Sequence, residues 1–250
     1  MKHFCLMEEL ALEISAATNE DGLFEALARA SMRLGFDHFA LAYDRRGNAE
    51  PASLLVHNYP DAWAKVYVGF DLGGADPVRR AGERSMTGFR WDEIESYIPL
   101  TRSDRQMLHV GREYGLADGY TVPRHLPGEA SGACSFVLRP QSELQDDMLR
   151  IAEIIGALAI VSARQLVGAV PLKSKATLSE RQRECVLWTA RGKTAAEVAV
   201  ILGIGEVTVV QHLKTARDRY DVHCGQMLTL CALFDGLIGF GDVYDWWHAR

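Results

Sequence analysis

Two segments near the start, FCLMEELALEISAA (residues 4–17) and DGLFEALARASMRLG (residues 21–35), repeat apolar residues every three or four positions, the spacing of one helix face. Gly35 stands where the second helix would take its C-cap. Four shorter segments, HFALAYD (38–44), ASLLVH (52–57), GYTVPRH (119–125) and ACSFVLR (133–139), are rich in β-formers. They are bounded by Gly, Pro, Asp and Asn, so they read as strands. Between the two pairs, RSDRQMLHVGREYGL (102–116) has helical spacing, which predicts a sheet with helices around it. No internal repeat or low-complexity segment interrupts the pattern.

A longer helix is predicted from Glu143 to Gln165. Leu144, Met148, Ile151, Ile155 and Leu158 form one apolar stripe, and Ile154 and Val161 extend a neighbouring face. Such a helix can be buried wholly in its own domain, or it can cover the sheet with one face and a second copy of the chain with the other. GAVPLKSKATLS (168–179) then breaks the periodicity with Gly, Pro and Ser, which divides the chain into residues 1–166, a linker over 167–176, and residues 177–250.

The last segment has its own punctuation. Ser179 with Gln182 and Thr194 with Glu197 have capping-box spacing and start helices near 180 and 195. The second is apolar at Val198, Ile201 and Leu202, ends at Gly203, and yields after the turn GIG to a third helix from Glu206, with Val207, Val210 and Leu213 read as inward-facing. Helix, short Gly-containing turn, helix is the order of a DNA-binding helix-turn-helix. Its outward face would offer Thr208, Gln211, His212, Lys214, Arg217 and Arg219 to phosphates and base edges. By pattern alone, a small helical bundle with a solvated basic face is the other reading.

Charge sharpens this division. The whole chain carries 27 Lys and Arg against 33 Asp and Glu, which by itself argues against a nucleic-acid partner. Residues 1–170 hold 17 bases against 24 acids, whereas residues 171–224 hold 9 against 6, so a small basic module follows an acidic body. Hydrophobic residues at 48% and charged residues at 24% are ordinary for a globular protein. Five cysteines without a C-x-x-C pair argue against a disulfide framework and against a zinc site. The opening MKHFCLMEELALEIS lacks a signal-peptide cleavage site, and no run approaches ~18 apolar residues, so a cytoplasmic protein without membrane spans is expected.

LSERQRECVLWTARGKTAAEVAVILGIGEVTVVQHL resembles the LuxR-type helix-turn-helix through Gly192, Lys193, Thr194, Glu197, Ala199, Leu202, Gly203, Thr208, Val209, His212 and Leu213. Lys193, Thr194, Thr208 and His212 of this motif, with Gln211, Lys214 and Arg217 of the outward face, are the expected DNA contacts. Gln182 replaces a usual Glu and still completes the capping box, Val186 replaces a usual Leu, and Gly205 replaces a usual Ser at the recognition-helix N-cap. Val210 stands where some relatives have a base-reading Arg, so a target sequence does not carry over.

The N-terminal part is similar to the acyl-homoserine-lactone-binding domain of quorum-sensing LuxR-type regulators. Tyr59-Pro60, Trp63 and Tyr67 are followed in register by Asp76-Pro77, Trp91, Gly119 and Ser135. Spacing alone leaves Trp63 and Tyr67 readable as core, Asp76 as a helix N-cap and Gly119 as a backbone requirement. The ligand chemistry agrees with the resemblance. Indole is only a donor, which suits Trp63 to the lactone carbonyl; carboxylate is only an acceptor, which suits Asp76 to the amide N–H; the hydroxyls of Tyr59 and Ser135 suit the acyl carbonyl. Tyr67 and Trp91 would be walls, with Ala64, Val68, Val78 and Ala133 bordering the acyl chain and leaving room for a medium or long one.

The resemblance implies an α+β chain. An N-terminal α/β/α sandwich around an antiparallel sheet would be followed by an all-α, four-helix helix-turn-helix domain. It also implies a homodimer on double-stranded DNA, a small-molecule autoinducer, and RNA polymerase as a further candidate partner. Nothing resembles a nucleophile with its base and orienting acid, a phosphoacceptor domain's acid cluster or a Gly-rich phosphate loop, so no catalysis, metal or cofactor is expected. An orphan regulator answering another signal, or none, is the alternative.

Overall fold

Most of the strands and helices form where the periodicity places them. The computed structural model describes residues 2–44, 53–69, 75–124, 131–167 and 177–244, which fall into two compact units within 2–167 and 177–244. In the first, α1 (Lys2–Ser15) leads into α2 (Glu20–Arg33), which starts where Asn19 Oδ1 accepts the Gly22 N–H at 2.8 Å. Gly35 follows the end of α2 at φ +84°, and the Gly35 and Phe36 amides return to the Met32 and Ser31 carbonyls, a Schellman closure.

Strands β1 (His38–Asp44), β2 (Ser53–His57), β3 (Phe89–Arg90), β4 (Asp118–Arg124) and β5 (Ser131–Leu138) make one antiparallel sheet in the order β2-β1-β5-β4-β3. The central β1 and β5 pair His38 with Val137 through Asp44 with Ser131, and β5 pairs β4 so that Ser135 lies opposite Thr121. On the other side of the sheet chain run α3 (Asp61–Gly69), α4 (Pro77–Gly82), α5 (Ile94–Tyr97) and α6 (Arg102–Glu113); α7 (Asp146–Leu166) closes the unit.

Every strand alternates, and the alternation decides where the core sits. Phe39, Leu41, Leu54, Val56, Val122, Cys134 and Phe136 point to one face and make a common core with α1, α2 and α7. The core-facing side of α7 is Ile151, Ile155, Ala159, Ile160 and Ala163, whereas Ile154 and Val161 are 41% and 49% exposed. The α/β/α sandwich around an antiparallel sheet is therefore present. Sequence reading missed β3 and α5, and of the six-residue α4 it offered only the Asp76 N-cap. Segments that short take their form from tertiary neighbours rather than from their own periodicity.

The second unit is all helical: α8 (Glu180–Ala190), α9 (Ala195–Leu202), α10 (Glu206–Tyr220), α11 (Gly225–Phe234) and the short α12 (Phe240–Val243). Both expected capping boxes form. Ser179 Oγ accepts the Gln182 N–H at 3.3 Å while Gln182 Oε1 accepts the Ser179 N–H at 3.0 Å, and Thr194 and Glu197 repeat the exchange at 3.3 and 2.8 Å. No single helix among the described residues is long and apolar enough to cross a membrane. Most of the expected linker, residues 168–176, and the tail from 245 onward lie outside the described residues.

Candidate ligand cavity and candidate nucleic-acid interface

The sheet face away from the core carries small side chains where the core face carries large ones. Ala40 and Ala42 of β1, Ala133 and Ser135 of β5, and Thr121 of β4 occupy it, with His57 toward the β2 edge. Helices α3, α4 and α6 arch over this floor and leave a cavity of about 350 Å³, within the size range of small-molecule sites. Small residues on the floor are what leave the space, since an aliphatic at each of these positions would fill it.

All six residues expected at a ligand site from their chemistry meet at this cavity: Tyr59, Trp63, Tyr67, Asp76, Trp91 and Ser135. Ala64, Val78 and Ala133 line it as well, and the Val68 side chain lies outside the described residues. Pro60 and Asp61 begin α3, which puts Trp63 and Tyr67 on one face with ring centroids 6.1 Å apart. Trp63 is 5% exposed and packs with Leu116 and Val137. Among the described residues no protein acceptor meets its indole N–H, yet every buried side-chain nitrogen or oxygen sealed from open space has a partner. Its N–H therefore is not sealed from open space, and Trp63 itself lines the cavity.

Asp76 takes the N-cap position weighed for it, accepting the Val78 N–H at 2.8 Å at the start of α4, and also borders the cavity. Its second oxygen accepts the Tyr67 hydroxyl at 2.9 Å, so Tyr67 positions the carboxylate besides forming a wall. Burial pushes the Asp76 carboxyl above the usual range, against the Tyr67 hydroxyl, the Val78 and Arg79 amides and the Arg80 charge, which pull it down. Burial, with the Asp76 charge adding, also raises Tyr59 well above an ordinary phenol, which keeps it a neutral hydroxyl.

Trp91 is more than a wall too. Its indole N–H donates to Thr121 Oγ1 at 2.9 Å, and Thr121 shares a 2.8 Å hydrogen bond with Ser135. Gly119 lets this happen, because a Cβ there would come within 2.9 Å of the Trp91 ring and 2.8 Å of the Phe136 carbonyl. Sequence reasoning missed Thr121 and His57. Thr121 was legible as an inward strand position opposite Ser135 once the register was known. His57 lines the cavity with Nδ1 accepting the Tyr59 N–H at 3.3 Å, and burial lowers its pKa.

In the second unit, α9 and α10 meet at a 107° bend, the geometry of a helix-turn-helix pair. Gly203 closes α9 in the left-handed conformation at φ +66°. Thr208, Gln211 and Lys214 are exposed, while His212 and Arg217 are half-buried. Lys193 is within 3.6 Å of Glu197, and the Thr194 hydroxyl is held in the capping box. Arg219 is exposed as expected, but its guanidinium is spent on the Thr177 carbonyl and on Gln182 Oε1, tying α10 to α8.

The inward face of α10 was also misread. Val209 and Ala216 are buried and Leu213 and Tyr220 partly so, whereas Val207 is 83% and Val210 50% exposed. Ile201 of α9 is likewise 42% exposed. Val207, Val210 and Leu213 satisfy helical spacing as well as Val209 and Leu213 do. Only the continuation to Ala216 and Tyr220 separates the two registers.

Comparison with known proteins follows the same division. Residues 19–166 match the family described as autoinducer binding domain, and residues 176–232 match bacterial regulatory proteins, luxR family. The chain is 26% identical over 220 residues to the transcriptional activator protein AhyR of Aeromonas hydrophila, covering 85% of this chain and 84% of that protein. It is 28% identical to the quorum-sensing regulator RhlR of Pseudomonas aeruginosa, covering 92% and 94%. Among solved structures, Escherichia coli SdiA shares the fold with a TM-score of 0.63 at 24% identity, covering 94% of this chain and 99% of that one. SdiA in complex with octanoyl-rac-glycerol gives 0.65 at 23% identity, covering 95% and 97%.

Proposed function

The chain belongs to the LuxR family of quorum-sensing transcription regulators, with an autoinducer-binding and a DNA-binding domain, and from that premise we propose that its ligand is an acyl-homoserine lactone. The observation that carries this reading is the polar set around the cavity. One unspent indole N–H at Trp63, an acceptor-only carboxylate at Asp76 and two hydroxyls at Tyr59 and Ser135 complement a lactone carbonyl, an amide N–H and an acyl carbonyl. The Ala64 and Ala133 side of the cavity takes the acyl chain, and its small residues favour a medium or long one.

Ligand binding regulates transcription by linkage: a ligand that binds only the folded domain stabilises it, and the dimer that reads a two-half-site operator along with it. Support for a homodimer comes from Ile154 and Val161 on the outer face of α7, where the half-buried Leu158 continues an i, i+4, i+7 stripe. RNA polymerase is the partner through which a bound dimer would act.

The test is mass spectrometry of ligand extracted from protein made with a lactone series of graded chain length, with a monoacylglycerol as the competing probe. Retention of a lactone, lost in Trp63→Phe and Asp76→Ala, is the expected result. A chain that retains only the acylglycerol, or responds best to a four-carbon acyl group, refutes the ligand class or the chain-length assignment respectively.

A further inference from the structure

Two aliphatic side chains stand on the water-facing side of α10, where the helix gains no packing from them. The buried row of this helix is Val209, Leu213, Ala216 and Tyr220. The opposite row begins at Val207 and continues through Gln211 and Lys214, with Val210 flanking it. Val207, Val210, Gln211 and Lys214 are spaced i, i+3, i+4 and i+7, so they form one continuous strip: apolar at the N-terminal end of the helix and polar beyond it. Among the described residues the Gln211 amide and the Lys214 ammonium take no intramolecular partner.

Such a strip matches one kind of base-pair edge. In the major groove an A·T pair presents the thymine C5-methyl group beside the adenine N6 donor and N7 acceptor, and a G·C pair presents no methyl at all. The first residues of the second helix in a helix-turn-helix are those that reach base edges. An arginine there would select guanine through O6 and N7, but the cations of α10, Lys214, Arg217 and Arg219, all come after Gln211, and Arg219 is already held by Gln182.

We propose that Val207 and Val210 read thymine methyl groups, with Gln211 taking the adjacent adenine edge, so that each half-site this regulator selects is centred on A·T pairs. The inference rests on the DNA-binding reading of the second unit and gives it a base preference. Discrimination is by burial of a methyl group against a branched side chain, a contact worth about fourfold in affinity per methyl.

The experiment uses the full chain, made with the lactone series, to select duplexes from a random pool. Each thymine of the enriched duplex is then replaced by deoxyuridine, which removes the C5-methyl and nothing else, and affinity is read by fluorescence anisotropy. One or two positions per half-site should each lose about fourfold. Val207→Ala and Val210→Ala should abolish that sensitivity while keeping the wild-type melting temperature and the wild-type dependence of binding on salt. Tolerance of uracil throughout overturns the inference and leaves DNA binding intact. Variants that keep the uracil penalty, or that bind DNA as wild type does and lose only transcriptional output, also overturn it, the latter by assigning the valines to a protein partner. Failure to enrich any duplex removes the DNA-binding reading, and this inference with it.

Discussion

At the scale of single residues, the cavity wall is built by side chains that hold one another before they hold a ligand. Trp91 is fixed by Thr121, Thr121 by Ser135, and the ring comes this close to the strand only because Gly119 has no Cβ. Gly119→Ala should therefore lower stability by about 1–3 kcal/mol, since the Phe136 carbonyl cannot yield and the indole must move; urea unfolding checks this, and an unchanged midpoint would remove the positioning role. Asp76 gives a pH signature. Burial raises its folded pKa above that of an ordinary aspartate, so the folded state binds this proton more tightly than the unfolded chain does. Its contribution to stability then grows as pH falls through the raised folded pKa and levels off below the unfolded one. Lactone affinity should move the opposite way, because a protonated carboxyl has lost acceptor capacity for the amide N–H. Calorimetry of lactone binding and thermal unfolding across the acidic range, each against Asp76→Asn, would show the two trends diverging; parallel trends would exclude Asp76 from the ligand. Tyr59, Trp63 and Asp76 were singled out in the sequence only through the in-register resemblance that runs on to Trp91, Gly119 and Ser135, because spacing alone left Trp63 readable as core and Asp76 as a helix N-cap. Thr121 was not, because a threonine in a strand is ordinary until the register sets it against Ser135.

At the scale of elements, what could be read from sequence is what carries its own signal. Both capping boxes, the four longer strands, the long α7 and the Asp76-Pro77 start of α4 announce themselves by local residues, whereas the two-residue β3 and the short α5 exist only because neighbours complete them. The register of α10 failed for a different reason: Val207, Val209 and Val210 offer two apolar faces, and tertiary packing chooses the one that continues to Ala216. Caps also allow a graded prediction. Ser179→Ala should cost about 1 kcal/mol, because the Gln182 N–H loses its Ser179 Oγ acceptor in the box whose Gln182 side chain also anchors Arg219. Gly205, by contrast, caps α10 with no side-chain hydrogen bond, and a Cβ there meets only Thr208 Oγ1 at an ordinary 3.5 Å. Gly205→Ser should gain a few tenths of a kcal/mol. Chemical denaturation of the second unit within the full chain would rank the two, and a destabilising Gly205→Ser would contradict the cap geometry.

At the scale of the whole molecule, the acidic body and basic module visible in the charge distribution correspond to a ligand unit and a DNA unit, each with its own core. A module with so small a positive excess gains little from phosphates alone, and two modules on one operator are the physical remedy. The outer stripe of α7 is where the second copy should come from. Replacing Ile154 and Val161 together by glutamate puts charge on side chains that are already 41% and 49% exposed, so the fold of the first unit should be little affected. Sedimentation should then show a monomer, and operator affinity should fall and become first order in protein. Lactone should still stabilise the variant, by about 2.7 kcal/mol at a hundredfold excess over Kd. That last measurement separates the two halves of the mechanism. If the double variant loses lactone stabilisation along with dimerisation, the cavity is completed by the second copy and the ligand site belongs to the dimer. If stabilisation persists while DNA binding fails, the ligand acts on the fold of each chain, and the dimer transmits that to the operator.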